Sequence, residues 1–310
     1  MSLRLIRTLF LVSAALALAG RSYQHLFFEG PYRAFFLDES LFGYWQGVFS
    51  DQSWLDFTNS HLADQRIRIY TQMMGFIWLA TAIVFLFFNR LSAKIAWSLA
   101  IISSLGLMFF GACSYLNMGY QSAQWIEHTA QILMPVLAVW IQSDRSGGFW
   151  ILLAKVAIAL TFIGHGLYAM GYFPVPGNFV YMTHTILGTS DEVSKDFLYV
   201  AGILDLLAAA LLFVPRADRV ALLYCAFWGF VTALARPVTY LLPNHLFWLT
   251  VHQTTFEFLV RIPHFMLPLL AWGYLRLGVG RGRSKWDIGW RNWFKGQRPG
   301  AGVKGRRLTV

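Results

Sequence analysis

Eight long apolar stretches constrain this chain more than any other feature, because a water-soluble fold of 310 residues could not hide them all. They cover residues 3–20, 67–88, 95–113, 125–142, 149–170, 197–214, 220–236 and 248–275, bounded by charges, Gly/Pro or polar clusters. Each is close to the ~20 apolar residues that a helix needs to cross a bilayer. Composition agrees. Hydrophobic residues make up 57% of the chain and charged ones 13%, against about 25% charged in a soluble domain. Mean hydropathy is +0.51. Too few charges remain to coat a soluble surface, which excludes a disordered chain, a water-soluble enzyme and an ordinary nucleic-acid-binding domain. The expected class is all-α: a polytopic transmembrane helical bundle of about eight spans, with residues 1–275 forming one membrane domain.

Lys and Arg in the short connections set the orientation. Arg4 and Arg7, Arg90 and Lys94, Arg145, and Arg216 and Arg219 mark one side. On the other side, residues 114–124 carry no charge, and 171–196 carry Asp191, Glu192 and Asp196 against Lys195. The 21–66 connection holds six carboxylates against Arg21, Arg33 and Arg66. Both termini are therefore expected in the cytoplasm, with the chain in the plasma (inner) membrane. The basic start and Ala17-Leu18-Ala19 also fit a cleaved signal peptide, which would leave seven spans. Cys113 and Cys225 fall at different depths and read as small buried apolar residues.

Twelve aromatic residues crowd between Tyr23 and Phe57. Rings of this kind favour the headgroup zone, so residues 21–66 are expected to form an aromatic interfacial lid on the outer face. From Arg276 onward the chain has ten Lys/Arg and one acid, Asp287, so this end supplies +9 of the +10 formal charge. Within it Trp286, Trp290 and Trp293 share a helical face, interleaved with Lys285, Arg291 and Lys295. Residues 276–310 read as a basic amphipathic cytoplasmic tail lying on anionic lipids of the bilayer. A nucleic-acid partner is not expected, because the segment lacks a folded groove for stacking bases.

Charged groups within spans are costly and so are usually paired or functional. Asp205 is near the middle of the sixth stretch, and Glu257, Arg261 and His264 fall on one face of the eighth, where Pro263 and Pro268 should kink the helix. Glu127, His128, His165, Arg236 and His252 lie toward the outer third on the inferred orientation. Together these nine residues outline a candidate polar pocket opening to the outer leaflet, with Arg261, His264 and Asp205 at its floor. The structural alternative is self-satisfaction: Glu257 with Arg261 as an i,i+4 pair, and Asp205 as a packing partner of Arg261 or His264. No metal site is expected, since HExxH, CxxC and His-rich runs are absent from the sequence. A bis-histidine haem would need two helices, His128 with His165 or His165 with His252. No catalytic residue or cofactor can be assigned from spacing.

The stretch TFIGHGLYAMGYFPVP, followed by KDFLYVAGILDLLAAALLFVPRADRVALLYCAFWGFVTALAR, resembles the DoxX-like family of small four-helix membrane proteins over residues 150–240. The shared features are a Gly-His-Gly near the end of one span, a span with a mid-span acid, a short basic turn and another apolar span. The resemblance implies a redox- or quinone-associated role, with His165 and Asp205 lining the bundle interior. Extra spans, the aromatic connection and the basic tail depart from the family pattern. Two other functions fit the sequence: a proton-coupled transporter or lipid-handling protein using the intramembrane charges, and an accessory subunit docking on a larger membrane-protein partner. Similarity between residues 67–142 and 149–240 is weak.

Overall fold

The computed structural model describes residues 1–143, 147–242 and 246–278. The expected tail segment with Lys285, Trp286, Trp290, Arg291, Trp293 and Lys295 lies outside the described residues. Among them the fold is all helical, with no strand. The long helices are α1 (Leu3–Phe27), α6 (His61–Leu86), α7 (Ala93–Asn117), α10 (Gly148–Ala169), α12 (Asp191–Leu211) and α13 (Asp218–Leu241). Two further helices are interrupted. The first consists of α8 (Ser122–Ile126) and α9 (Thr129–Trp140), the second of α14 (Phe247–Leu259) and α15 (Ile262–Arg276). Short helices α2 (Arg33–Phe36), α3 (Glu39–Phe42), α4 (Gln46–Phe49) and α5 (Trp54–Thr58) fill one connection, and α11 (Gly177–Leu187) another.

Serine caps start several of these helices. Ser2, Ser92 and Ser190 accept the N–H of Leu5, Ile95 and Val193, each supplying one of the bonds that a helix start lacks. At the other end of α11, Gly188 adopts φ +64, the left-handed conformation that a C-terminal turn requires and glycine tolerates. Among the described residues five helices are long and apolar enough to cross a membrane, and six if the bent α14–α15 pair is one span. These are the helices of an integral membrane protein. Of the remaining expected spans, α9 is only 12 residues long, and α12 opens on Asp191 and Glu192.

Packing divides the bundle into two units of four. In the first, α1 contacts α6, α6 contacts α7, α7 contacts α9, and α9 returns to α1. In the second, α10, α12, α13 and α15 close the same ring in the same order. The units meet along α1, α9, α10 and α15, so the innermost helices are the first and last of each ring. Both rings place their additional helices between first and second members. There α2 rests on α7 and α11 on α13, the third member in each case. Hydrogen bonds tie neighbours together inside the apolar layer: the Ser103 hydroxyl donates to Thr81 across α6 and α7 at 3.1 Å, and Trp150 Nε1 donates to the Leu137 carbonyl at 3.1 Å.

Two boundaries differ from the sequence expectation. Helix α1 continues through Arg21 to Phe27, and α6 begins at His61, so the aromatic connection is 28–60 rather than 21–66. The polar residues after Gly20 look like the end of a span, but Arg21, Ser22 and His25 turn inward and are buried. The connection itself folds on a small aromatic core of Tyr32, Phe36, Phe42, Trp45 and Phe57. Trp54 donates to the Leu37 carbonyl at 3.0 Å.

Candidate functional site

At the end of the bundle where α1, α7, α10 and α13 finish, a polar chamber of about 240 Å³ lies between the two units. Its charged lining is Arg21, Glu127, Arg236, Glu257 and Arg261, joined by His128, His165 and His264. The chamber exists because both interrupted helices break there. In each, two non-helical residues separate the segments, Glu127-His128 in one and Val260-Arg261 in the other, and α14 and α15 bend by 41°. The expectation of a single kinked helix through 248–275 is thus corrected. Pro263 sits at the second position of α15, where the absent N–H matters least and a new helix begins easily.

The two interrupted helices share a register. Gln124, Glu127, His128 and Gln131 line the chamber from one, and the residues 133 positions later, Glu257, Val260, Arg261 and His264, line it from the other. Pro135 and Pro268 follow at the same offset. Helices α1 and α10 match as well: Gly20-Arg21 corresponds to Gly164-His165, and both Arg21 and His165 face the chamber. Each glycine lets its helix approach the break in the opposite unit. A Cβ on Gly20 would lie 2.6 Å from Leu259 Cβ, and one on Gly164 would lie 2.8 Å from the Glu127 backbone nitrogen. The chamber therefore sits on an approximate twofold relation between two four-helix units.

Its hydrogen bonds are asymmetric. Arg21 gives two N–H groups to Gln131 Oε1, at 3.2 and 2.5 Å, and one to Gln24 at 2.7 Å, with its guanidinium over the Phe110 ring. Arg236 pairs with Glu257 at 3.0 Å, so Glu257 does not form the expected i,i+4 pair with Arg261. Arg261 instead donates to the Glu257 backbone carbonyl at 2.9 Å, because the helix break turns its side chain back over the preceding turn. Glu127 accepts from Gln124 at 2.9 Å and lies 3.5 Å from His165 Nδ1. His128 donates Nδ1–H to the Gln124 carbonyl at 2.7 Å, since a carbonyl can only accept. His165 and His264 stand ring to ring, 5.2 Å between centroids. Two buried atoms of the lining have no hydrogen-bond partner among the described residues, Arg236 Nε and His264 Nδ1.

Beside this chamber lies a second one of about 160 Å³, lined mainly by apolar side chains of α11, α12 and α13. His165, Arg236, Arg261 and His264 line both and form the partition. Phe197 and Leu187, 41% and 51% exposed, belong to the apolar lining, so this chamber opens sideways on the outer surface of the bundle. Asp205 belongs here too. It accepts from the Tyr224 hydroxyl at 2.9 Å and contributes nothing to the polar chamber floor. His252 joins neither chamber. It hydrogen-bonds the Tyr23 hydroxyl and packs among Tyr23, Phe27 and Phe28.

Seven of the nine expected pocket residues thus surround one chamber, Asp205 lines its neighbour, and His252 lies apart. No protein-family model matches the chain, and neither a curated protein nor a solved structure does. The site therefore stands on its own geometry. Arg21, Gln24, Gln124 and Gln131 were missed by sequence reasoning. The signal that could have found them is the paired Gly-basic step at 20–21 and 164–165, together with the common 133-residue offset of the two prolines.

Proposed function

We propose that this chain is an eight-crossing integral protein of the plasma membrane, with both termini cytoplasmic, that binds an amphiphile entering from the outer leaflet. The observation that carries this reading is the partition: His165, Arg236, Arg261 and His264 face an apolar chamber open at the side and, behind it, a chamber lined by polar and charged groups. A hydrocarbon chain suits the first and a polar head the second, which is how amphiphile sites combine apolar walls with a few polar contacts. The alternation of helix ends around the polar chamber supports eight crossings, since α1, α7, α10 and α13 end there while α9, α12 and α15 begin near it. On this topology the 28–60 connection caps the same outer face.

An isoprenoid quinone is one amphiphile of this build, with His165 and His264 as hydrogen-bond partners for its ring. A DoxX-like kinship rests on the sequence resemblance over residues 150–240 alone, a stretch that holds α10, α11 and α12 and nearly all of α13. The second reading, a transporter or lipid-handling protein, draws on the two interrupted helices meeting at a repeat interface, an arrangement that transporters use for substrate sites. Mass spectrometry and a redox difference spectrum of the solvent extract from detergent-purified protein test both. One co-purifying amphiphile per chain is expected, and it should be lost when Ala201→Phe fills the apolar chamber. Extracts identical for wild type and Ala201→Phe would refute the reading.

A further inference from the structure

The polar chamber is lined by more positive than negative charge. Arg21, Arg236 and Arg261 face Glu127 and Glu257, while Asp205 is held in the other chamber by Tyr224. Arg21 and Arg236 are only 5% and 7% exposed, so solvent does little to screen the excess. A buried charge without a partner is strongly unfavourable, and a site of this composition is complete only with a counter-anion. Two independent features point the same way. Both interrupted helices restart at the chamber: His128 is the residue before α9 and Arg261 the residue before α15. A helix start presents the positive end of the helix dipole, which favours an anion, although here the Ala130 N–H is taken by the Thr161 hydroxyl, the His264 N–H by the Arg261 carbonyl, and Pro263 has none. Arg236 Nε and His264 Nδ1, both buried in this lining, have no hydrogen-bond partner among the described residues.

Resting on the amphiphile reading and deepening it, we infer that the head of the bound amphiphile is an oxyanion, a phosphate or carboxylate, seated between the starts of α9 and α15. Arg21 comes from one four-helix unit and Arg236 and Arg261 from the other, so the head bridges the two units. With it in place three guanidinium groups meet three negative charges. The contiguous apolar chamber favours a lipid-borne oxyanion over a free one.

The test uses full-length protein in neutral maltoside micelles and three probes: dioleoyl phosphatidylglycerol, dioleoylglycerol with the same chains and no phosphate, and inorganic phosphate. Tryptophan fluorescence reads binding, since Trp228 lines the apolar chamber. For the two lipids only the signal lost in Ala201→Phe is counted, because the basic tail attracts anionic lipid by itself; for inorganic phosphate only the signal lost in Arg261→Gln is counted. Phosphatidylglycerol should bind at least about tenfold more tightly than dioleoylglycerol, a difference of ~1.4 kcal/mol. Arg21→Gln and Arg261→Gln should each erase that preference, and Arg261→Lys should keep part of it. Equal binding of the two lipids to the wild type would overturn the oxyanion while leaving the amphiphile reading intact, and this comparison needs no variant that folds. Binding of neither lipid would overturn both. Inorganic phosphate binding as tightly as phosphatidylglycerol would support the oxyanion and remove the hydrocarbon tail.

Discussion

Asp205 and Arg21 are both buried ionisable residues, yet they differ in how they could be recognised. Asp205 interrupts an apolar run near its centre, so the cost of placing it there marks it at once. Its surroundings then make it local: the Tyr224 hydroxyl supplies a hydrogen bond at 2.9 Å, Arg236 and Arg261 belong to the partition, and Arg21 lies beyond it. Trp228 is a second hydrogen-bond donor to Asp205, so Tyr224→Phe removes one of two donors and should destabilise the protein by about 1 kcal/mol, the net worth of one hydrogen bond, read as a lower melting temperature in detergent. A variant that melts with the wild type would show that the Trp228 bond suffices to hold Asp205. Arg21, by contrast, follows the apolar run and looks like its polar boundary. Only the tertiary fold reveals that α1 runs about two turns further and carries Arg21 to Gln131.

Among the elements, the crossings of α1 and α10 over the two helix breaks depend on glycine. Gly164→Ala would drive a Cβ against backbone atoms, Glu127 nitrogen at 2.8 Å and the Ala123 carbonyl oxygen at 2.9 Å, neither of which can rotate away. Overpacking of this kind costs about 1–3 kcal/mol. Gly43→Ala, where nothing lies within 4 Å, serves as the control and should melt with the wild type. In the aromatic connection, Asp38 caps α3 by accepting the N–H groups of Ser40 and Leu41. The Ser40 hydroxyl, chiefly, holds its carboxyl below the usual carboxylate range, with the backbone donors adding to it. A lowered folded-state pKa means that the cap contributes above the ordinary carboxylate value and fails as pH drops through the lowered one. Asp38→Ala should therefore loosen the Phe42 and Trp45 contact at neutral pH, and the wild type should match it only in acid. Tryptophan fluorescence against pH checks this, and coincident profiles at neutral pH would count against the cap.

For the molecule as a whole, the recurrence of a four-helix ring with the same order of contacts accounts for where the site lies. Two units related by an approximate twofold bring equivalent breaks together at their junction, and the asymmetry between Arg21 with Gln131 and His165 with His264 gives one shared chamber two unlike halves. Eight crossings predict a labelling pattern. In a background lacking Cys113 and Cys225, single cysteines at Asp51, Gly119 and Ser190 should react with an impermeant thiol reagent on intact cells, and those at Arg90 and Arg219 only after lysis. Reaction of 119 and 219 from the same side would reduce the count. The helical class, the approximate position of each long helix and most of the chamber residues were legible in the chain, because hydrocarbon thickness dictates the length of a span and the cost of burying charge dictates what stands out within it. Pairing of Arg236 with Glu257, confinement of Asp205 to the apolar side, the break before Arg261 and the twofold relation were decided only by the tertiary structure. Apolar helix faces can pack with many different side chains, so the repeat persists in a few glycines, prolines and polar positions, and which of those meet depends on how the helices cross.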